Sequence, residues 1–172
     1  MSTRLRPEDL SFVETAPLTY VFEAQLDAPR QIVFEAISAD PSTWTWFPGL
    51  RSGSYEGEGP HGVGSIREVS MSGTRYRETM LAWDEPSLWV YRVDSSSAPI
   101  ADAIVEEWSL REHRDGTIVR LTFAIDPKLM FTAGRPAASA LMGSLFRRAM
   151  RNLDAELSRR SSTSTASSPA DQ

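Results

Sequence analysis

The chain has no cysteine. That excludes disulfides, thiolate nucleophiles and cysteine-based zinc sites together. Lysine is nearly missing as well: Lys128 is the sole example, and arginine supplies the remaining basic charge. Histidine is confined to His61 and His113. No run approaches the roughly 18 apolar residues that a membrane span needs. The opening "MSTRLRPEDL" has no apolar stretch of the kind that marks a secretory signal. These shortages fit a cytoplasmic protein. Net charge is -5, with the basic residues spread along the chain. A nucleic-acid footprint needs a concentrated basic face, so no nucleic-acid partner is expected.

What remains is a chain of 172 residues, 41% of them hydrophobic, which suits one globular domain. Its end, "SSTSTASSPADQ" (161–172), has no apolar residue larger than alanine. Such a segment cannot bury enough surface to offset its ordering entropy, and a disordered tail is expected. Residues 1–16 read as an N-terminal extension in which Leu10, Phe12 and Val13 are candidates for packing back. The domain proper is expected over 17–160.

Within it the dominant period is two. "LTYVFEAQL" (18–26) alternates Leu18, Tyr20, Phe22, Ala24 and Leu26 against more polar positions, as a half-buried strand does. Asp27-Ala28-Pro29 ends it and suits a helix start, after which "RQIVFEAIS" carries Ile32, Val33, Ala36 and Ile37 at helical spacing. "STWTWF" reads as a second short helical turn. Six further strands are predicted near 52–57, 64–71, 74–83, 87–94, 103–112 and 117–126. Ser72-Gly73 and Asp115-Gly116 carry two-residue hairpin chemistry.

From about Arg135 to Arg160 the period changes to three and four: Met142, Leu145/Phe146, Ala149/Met150, Leu153, Leu157. Pro136 is tolerated only in a first turn, so a helix of about seven turns starts there. The order is strand, two short helices, six strands, one long helix. Consecutive hairpins imply a curved, seven-stranded antiparallel sheet in an α+β fold.

Four stretches carry a resemblance: "LDAPRQIVFEAISADPSTWTWFPG", "GVGSIREVSMSGTRYRETMLAWDEPSLWVYRV", "EEWSLREHRDGTIVRLTF" and the terminal helix. Over roughly residues 18–158 the chain resembles the START/Bet v 1-like (SRPBCC) superfamily, and within it the polyketide cyclase/dehydrase-like bacterial proteins. The resemblance implies a helix-grip fold, in which the sheet wraps the C-terminal helix around an apolar cavity. It also implies a hydrophobic or amphipathic small-molecule ligand such as a lipid or polyketide.

Register follows from turn length and charge. With Ser72-Gly73 as a two-residue turn, Val69 faces Tyr76, Glu68 faces Arg77 and Arg67 faces Glu78. A three-residue turn would oppose Glu68 to Glu78, like against like. A tight turn at Glu85-Pro86 sets Tyr91 opposite Met80, and Val93 opposite Glu78. Asp115-Gly116 as the turn sets Leu110 opposite Leu121, and Trp108 opposite Phe123.

The inner wall is then expected to hold Tyr76, Met80, Tyr91, Val93, Trp108, Leu110, Val119, Leu121 and Phe123. Met142, Phe146 and Met150 face it from the helix, and Arg67, Glu78 and Glu106 share its face. Either Arg67 and Glu78 form a structural pair, or they orient a polar ligand group. "WTWFPG" (44–49) places three rings before a breaker; they either form a rim and lid over the cavity or plug a core gap. The candidate ligand-binding set is Trp46, Arg67, Tyr76, Glu78, Met80, Tyr91, Trp108, Leu121, Phe123, Met142 and Phe146.

Other motifs lead nowhere. "GEGPHG" (57–62) matches G-x-G-x-x-G but precedes a strand pattern, not a helix, and reads as a loop. His61 and His113 read as solvated loop residues. Glu106 and Glu107 point to opposite faces of one strand. The basic run "FRRAMR" (146–151) reads as a solvated helix face. No metal site and no cofactor are expected, and the chain is expected to be a monomer or homodimer. Two alternatives to simple binding stand. One is a cyclase/dehydrase-type enzyme using Tyr76, Glu78, Arg67 and Tyr91 as acid, base and carbonyl-polarising groups. The other is a chaperone-activator-like interaction module.

Overall fold

Alternation in "LTYVFEAQL" becomes strand β2 (Leu18–Leu26), whose inward residues are half-buried up to Leu26, which is fully buried. The computed structural model describes residues 2–128 and 135–166. Before β2 come β1 (Thr3–Arg4) and α1 (Phe12–Thr15); after it come α2 (Arg30–Ser38) and a 3-10 turn (Pro41–Thr43). Six strands follow: β3 (Leu50–Tyr55), β4 (Ile66–Met71), β5 (Thr74–Asp84), β6 (Leu88–Ser96), β7 (Ala101–His113) and β8 (Gly116–Pro127). The long helix α3 spans Arg135–Ala166.

The sheet runs β2-β8-β7-β6-β5-β4-β3, antiparallel throughout, with β1 pairing on β6. This is the expected α+β helix-grip arrangement, with one strand more than the seven predicted. The extra strand has a physical cause. β6 and β7 pair only through Leu88–Arg92 and Val105–Ser109, then diverge. The N-terminal segment fills the opening: Leu5 N–H donates to Asp94 O on β6 (2.9 Å), and Arg6 N–H to Asp102 O on β7 (2.7 Å). Leu5 is buried there against Val93, Ile104 and Ile125. Of the three residues singled out in the extension, Phe12 on α1 is buried against the outer face of the sheet with Val90, Ala103, Val105 and Ala124. Val13 packs partly against the same group, and Leu10 is exposed.

The β4–β5 register is the predicted one, Met71↔Thr74 through Arg67↔Glu78. Ser72 (φ 51°) and Gly73 (φ 86°) both occupy the left-handed region, as a type I′ turn requires. Tyr91 does face Met80, and Val93 faces Glu78, but by a route that differs from the expected tight turn. The loop is one residue longer, pairing Asp84 with Leu88, and a bulge at Leu81 restores the register before Met80.

The β7–β8 register corrects the expectation. Leu110 pairs with Val119 and Trp108 with Leu121, because Arg114 and Asp115 form the turn and His113 pairs with Gly116. Arg114 takes the positive φ (53°). Gly116 is needed for a different reason: a Cβ there would collide with the carbonyl oxygen of Leu26 at the end of β2. The slip amounts to two residues, so every side chain keeps its face.

α3 lays Phe146, Ala149, Met150, Leu153 and Leu157 into the main core with Trp89, Trp108, Leu121 and Val119. Phe146 stacks on Phe22 of β2 (5.8 Å) and lies 6.0 Å from Trp108. Arg147, Arg148 and Arg151 are exposed on the opposite face, as the basic run suggested. The helix starts where Pro136 placed it but continues to Ala166, past the expected tail boundary; residues 167–172 of that tail lie outside the described residues.

Candidate functional site: a small cavity with an ion pair in its wall

A cavity of about 110 Å³ lies on the concave face of the sheet. β4 and β5 supply Arg67, Val69, Met71, Tyr76 and Glu78 to its wall; β6 supplies Tyr91 and Val93. β7 and β8 supply Ile104, Glu106, Trp108, Leu121 and Phe123. Trp44, Phe47, Leu50 and Ile100 complete it from connecting segments and the start of β3. Seven of the candidate residues therefore meet at one hollow: Arg67, Tyr76, Glu78, Tyr91, Trp108, Leu121 and Phe123.

Four do not line it. Met80 and Trp46 are buried in the packed core beside it. Phe146 lies under Trp108, and Met142 is half-buried one turn earlier on α3. The expected position between sheet and terminal helix is thus shifted, since the described lining comes from the sheet and from the 44–50 segment. The reason is packing. Phe146, Met150, Leu153 and Leu157 interlock with Trp89 and Trp108 and fill the space directly beneath the helix.

The "WTWFPG" segment divides its rings between both expected roles. The turn before it is short: Asp40 accepts from Ser42 N–H (2.8 Å) and Pro41 opens a single 3-10 turn, after which Trp44 is already extended. The predicted helical turn over "STWTWF" is therefore limited to Pro41–Thr43. Trp46 enters the core, while Trp44 and Phe47 form cavity wall. Two bonds tie the segment to α3: Asn152 Nδ2 donates to Trp46 O (3.0 Å), and Thr45 Oγ1 to Glu156 Oε2 (2.5 Å).

The polar groups sit in adjacent rows across the strands. One row runs Arg67–Glu78–Val93, the next Met80–Tyr91–Glu106–Phe123. Arg67 Nε donates to Glu78 Oε2 at 2.5 Å, and both residues are buried, 1% and 5% exposed. The guanidinium also lies over the rings of Tyr91 (4.4 Å), Trp89 (4.6 Å) and Trp44 (5.1 Å). Burial disfavours the Arg67 charge, but Glu78 and the neighbouring tyrosines outweigh it and hold the guanidinium protonated. Burial raises the Glu78 carboxyl against the pull of Arg67.

Tyr91 Oη donates to Glu106 Oε2 at 2.6 Å. Glu106 is half-buried, its open side on the hollow it lines. Burial first, and the Glu78 charge second, push its carboxyl up to about 7. Burial also raises the Tyr91 phenol well above its ordinary value. Tyr55 lies deeper, donating to Ser38 O (3.2 Å), with burial raising its phenol to about 12.

Glu106 already belongs to the expected face, and counting by two along the same strands from Arg67 and Glu106 reaches Val69, Met71 and Ile104 as well. Trp44 and Phe47 had no such signal, because side-chain direction in a loop follows no period. Glu107 is turned to the other face, as expected. His61 departs from the solvated reading: its ring stacks on Tyr55 at 4.3 Å. Among the described residues no group of acidic and histidine side chains is arranged to hold a metal ion. No helix of the described residues is long and apolar enough to cross a membrane.

A concave antiparallel sheet gripping a C-terminal helix, with a walled hollow on the inner face, is the START/Bet v 1-like helix-grip fold. The chain belongs to the family described as polyketide cyclase / dehydrase and lipid transport, whose model matches residues 18–158. Solved structures share the fold at low identity. A START superfamily protein from Mycobacterium smegmatis is 12% identical with a TM-score of 0.67, over 82% of this chain and 97% of that one. A protein from Nitrosospira multiformis is 21% identical with a TM-score of 0.62, over 81% and 95%. Ara h 8.0201 is 16% identical with a TM-score of 0.61, over 79% and 97%. No curated protein matches the sequence.

Proposed function

We propose that the protein binds a hydrophobic or amphipathic small molecule in the cavity beneath Trp44 and Phe47. The observation that carries the reading is a hollow left open inside an otherwise interlocked core, with apolar walls and a few convergent polar groups. Family membership supports it. Burying about 200 Å² of an aromatic ring contributes about 5 kcal/mol, so a dissociation constant on the order of 10⁻⁴ M needs no hydrogen bond at all. Native mass spectrometry of the purified protein, with solvent extraction of any retained compound, tests it. A retained apolar compound, or saturable binding from an apolar panel, is the expected result; neither, in a folded sample, removes the reading.

One observation favours a second reading, general acid–base chemistry of the cyclase/dehydrase type. Glu106 faces the cavity with its carboxyl near 7, where a side chain can both hold and release a proton at neutral pH. Tyr91 and Arg67 lie beside it as donors. In this reading Glu106 takes the base role ahead of Glu78, whose charge is engaged by Arg67. Glu106→Gln retaining full turnover of any substrate found would exclude it.

A further inference from the structure

Two side chains that line the cavity carry buried donors without an acceptor. Arg67 Nη1 is buried with no hydrogen-bond acceptor among the described residues, although Nε of the same side chain is engaged by Glu78. Trp44 Nε1, on another part of the wall, is likewise buried and without an acceptor. The faces of the three rings around Arg67 spread its charge but give Nη1 no directed lone pair. A buried donor without a partner is costly, and a ligand that supplies an acceptor oxygen relieves that cost.

The charge balance narrows the choice. The lining cation is Arg67, already neutralised by Glu78, and Glu106 adds negative charge as it ionises. An anionic ligand would enter without a free counter-charge, in a medium that stabilises lone charges poorly. Size narrows it further: about 110 Å³ is nearer to a single ring than to a long acyl chain. An apolar protein cavity of about 150 Å³ holds benzene, so even a single ring requires this hollow to widen, and anything larger is disfavoured.

We infer that the cavity selects compact, uncharged, single-ring molecules bearing a carbonyl or equivalent acceptor oxygen, which Arg67 and Trp44 read as donors. The inference rests on the small-molecule reading above. The test uses the full chain at pH 7.5 and four probes: acetophenone, ethylbenzene, benzoate and palmitate. Binding is followed by tryptophan fluorescence and by saturation-transfer NMR.

Acetophenone is expected to bind at least tenfold more tightly than ethylbenzene, the size of effect a hydrogen bond to a charged donor produces. Benzoate is expected to show no binding at ten times the acetophenone dissociation constant. Equal affinity for acetophenone and ethylbenzene overturns the acceptor selection but leaves the apolar-ligand reading intact. Benzoate binding as tightly as acetophenone overturns the charge selection. Palmitate binding without either neutral ring overturns the size selection, again leaving the broader reading. No binding by any probe removes both. Trp44→Phe keeps a ring and deletes the donor; the acetophenone-to-ethylbenzene preference should fall at least threefold, and an unchanged preference removes Trp44 from the readout.

Discussion

Glu106 gives the sharpest handle on the electrostatics of the hollow, because its replacement by glutamine keeps shape and an acceptor for Tyr91 while abolishing titration. In the folded chain its carboxyl is raised from the ordinary 4.5 to about 7, first by burial and then by Glu78. Arg67 and the Tyr91 hydrogen bond oppose the rise, and the Tyr76 phenol also faces this group. Folding therefore holds this proton more tightly than the unfolded chain does. Below about pH 4.5 both states keep it and nothing is lost. Between there and about pH 7 the unfolded chain releases it while the fold retains it, so stability falls as pH rises. Above about pH 7 the loss is complete. At 1.36 kcal/mol per tenfold change in proton affinity it comes to somewhat over 3 kcal/mol, reduced to about 2–3 with the half-open carboxyl partly solvated. Glu106→Gln is permanently in the neutral form. It should exceed the wild type by less than about 1 kcal/mol near pH 5 and by about 2–3 kcal/mol at pH 8, the latter roughly 5–10 °C in melting temperature for a chain of this size. Urea unfolding of both proteins at unit pH steps from 5 to 9 measures the difference, in which unrelated titrations cancel. Wild-type and variant stabilities that run parallel across that range would refute the reasoning.

Two further outcomes follow from the same geometry. Arg67→Met leaves Glu78 buried without its 2.5 Å partner and should cost about 3–5 kcal/mol at pH 8, less at pH 5, where the carboxyl can take a proton. Adding Glu78→Gln should recover more than half, read by chemical denaturation; no recovery would mean the pair acts through packing alone. Gly116→Ala drives a Cβ into the Leu26 backbone oxygen, which no rotamer change relieves, and should cost about 1–3 kcal/mol in thermal unfolding. A neutral Gly116→Ala would show that β2 is not pinned there.

The fold was legible because its evidence is periodic. Alternation in residues 18–26, the helical spacing from Pro136 onward and the charge complementarity of Arg67–Glu78 and Glu68–Arg77 each specify geometry locally. Where the reading slipped, the cause was a turn. Asp-Gly is strong hairpin chemistry, but Gly116 serves a close approach to a strand nearly ninety positions away, and a long-range contact leaves no local mark. The bulge at Leu81 is similar, since it answers an extra loop residue and becomes visible only once both strands are paired. β1 left even less trace, because two residues filling a gap between diverging strands carry no pattern of their own.

The site was readable to the degree that it is made of strand. A slip of two residues between β7 and β8 changed every partner and no face, so Trp108, Leu121 and Phe123 reached the cavity under the wrong pairing. Parity is robust because the pleat has period two, and only an odd error empties a wall. Contributions from outside the sheet follow no such rule. Trp46, Met142 and Phe146 were placed at the cavity by helix spacing and ring count, yet α3 fills the space beneath it and leaves the opening further along the sheet. The lid therefore comes from Trp44 and Phe47, whose segment is tied to α3 by Asn152 donating to the Trp46 carbonyl and by the Thr45 hydroxyl donating to Glu156. A helix that closes one end of the concave face and pins the loop over the other sets the size of the hollow. In the binding role proposed above, Arg67 and Trp44 would then select the polar atom that the bound molecule carries.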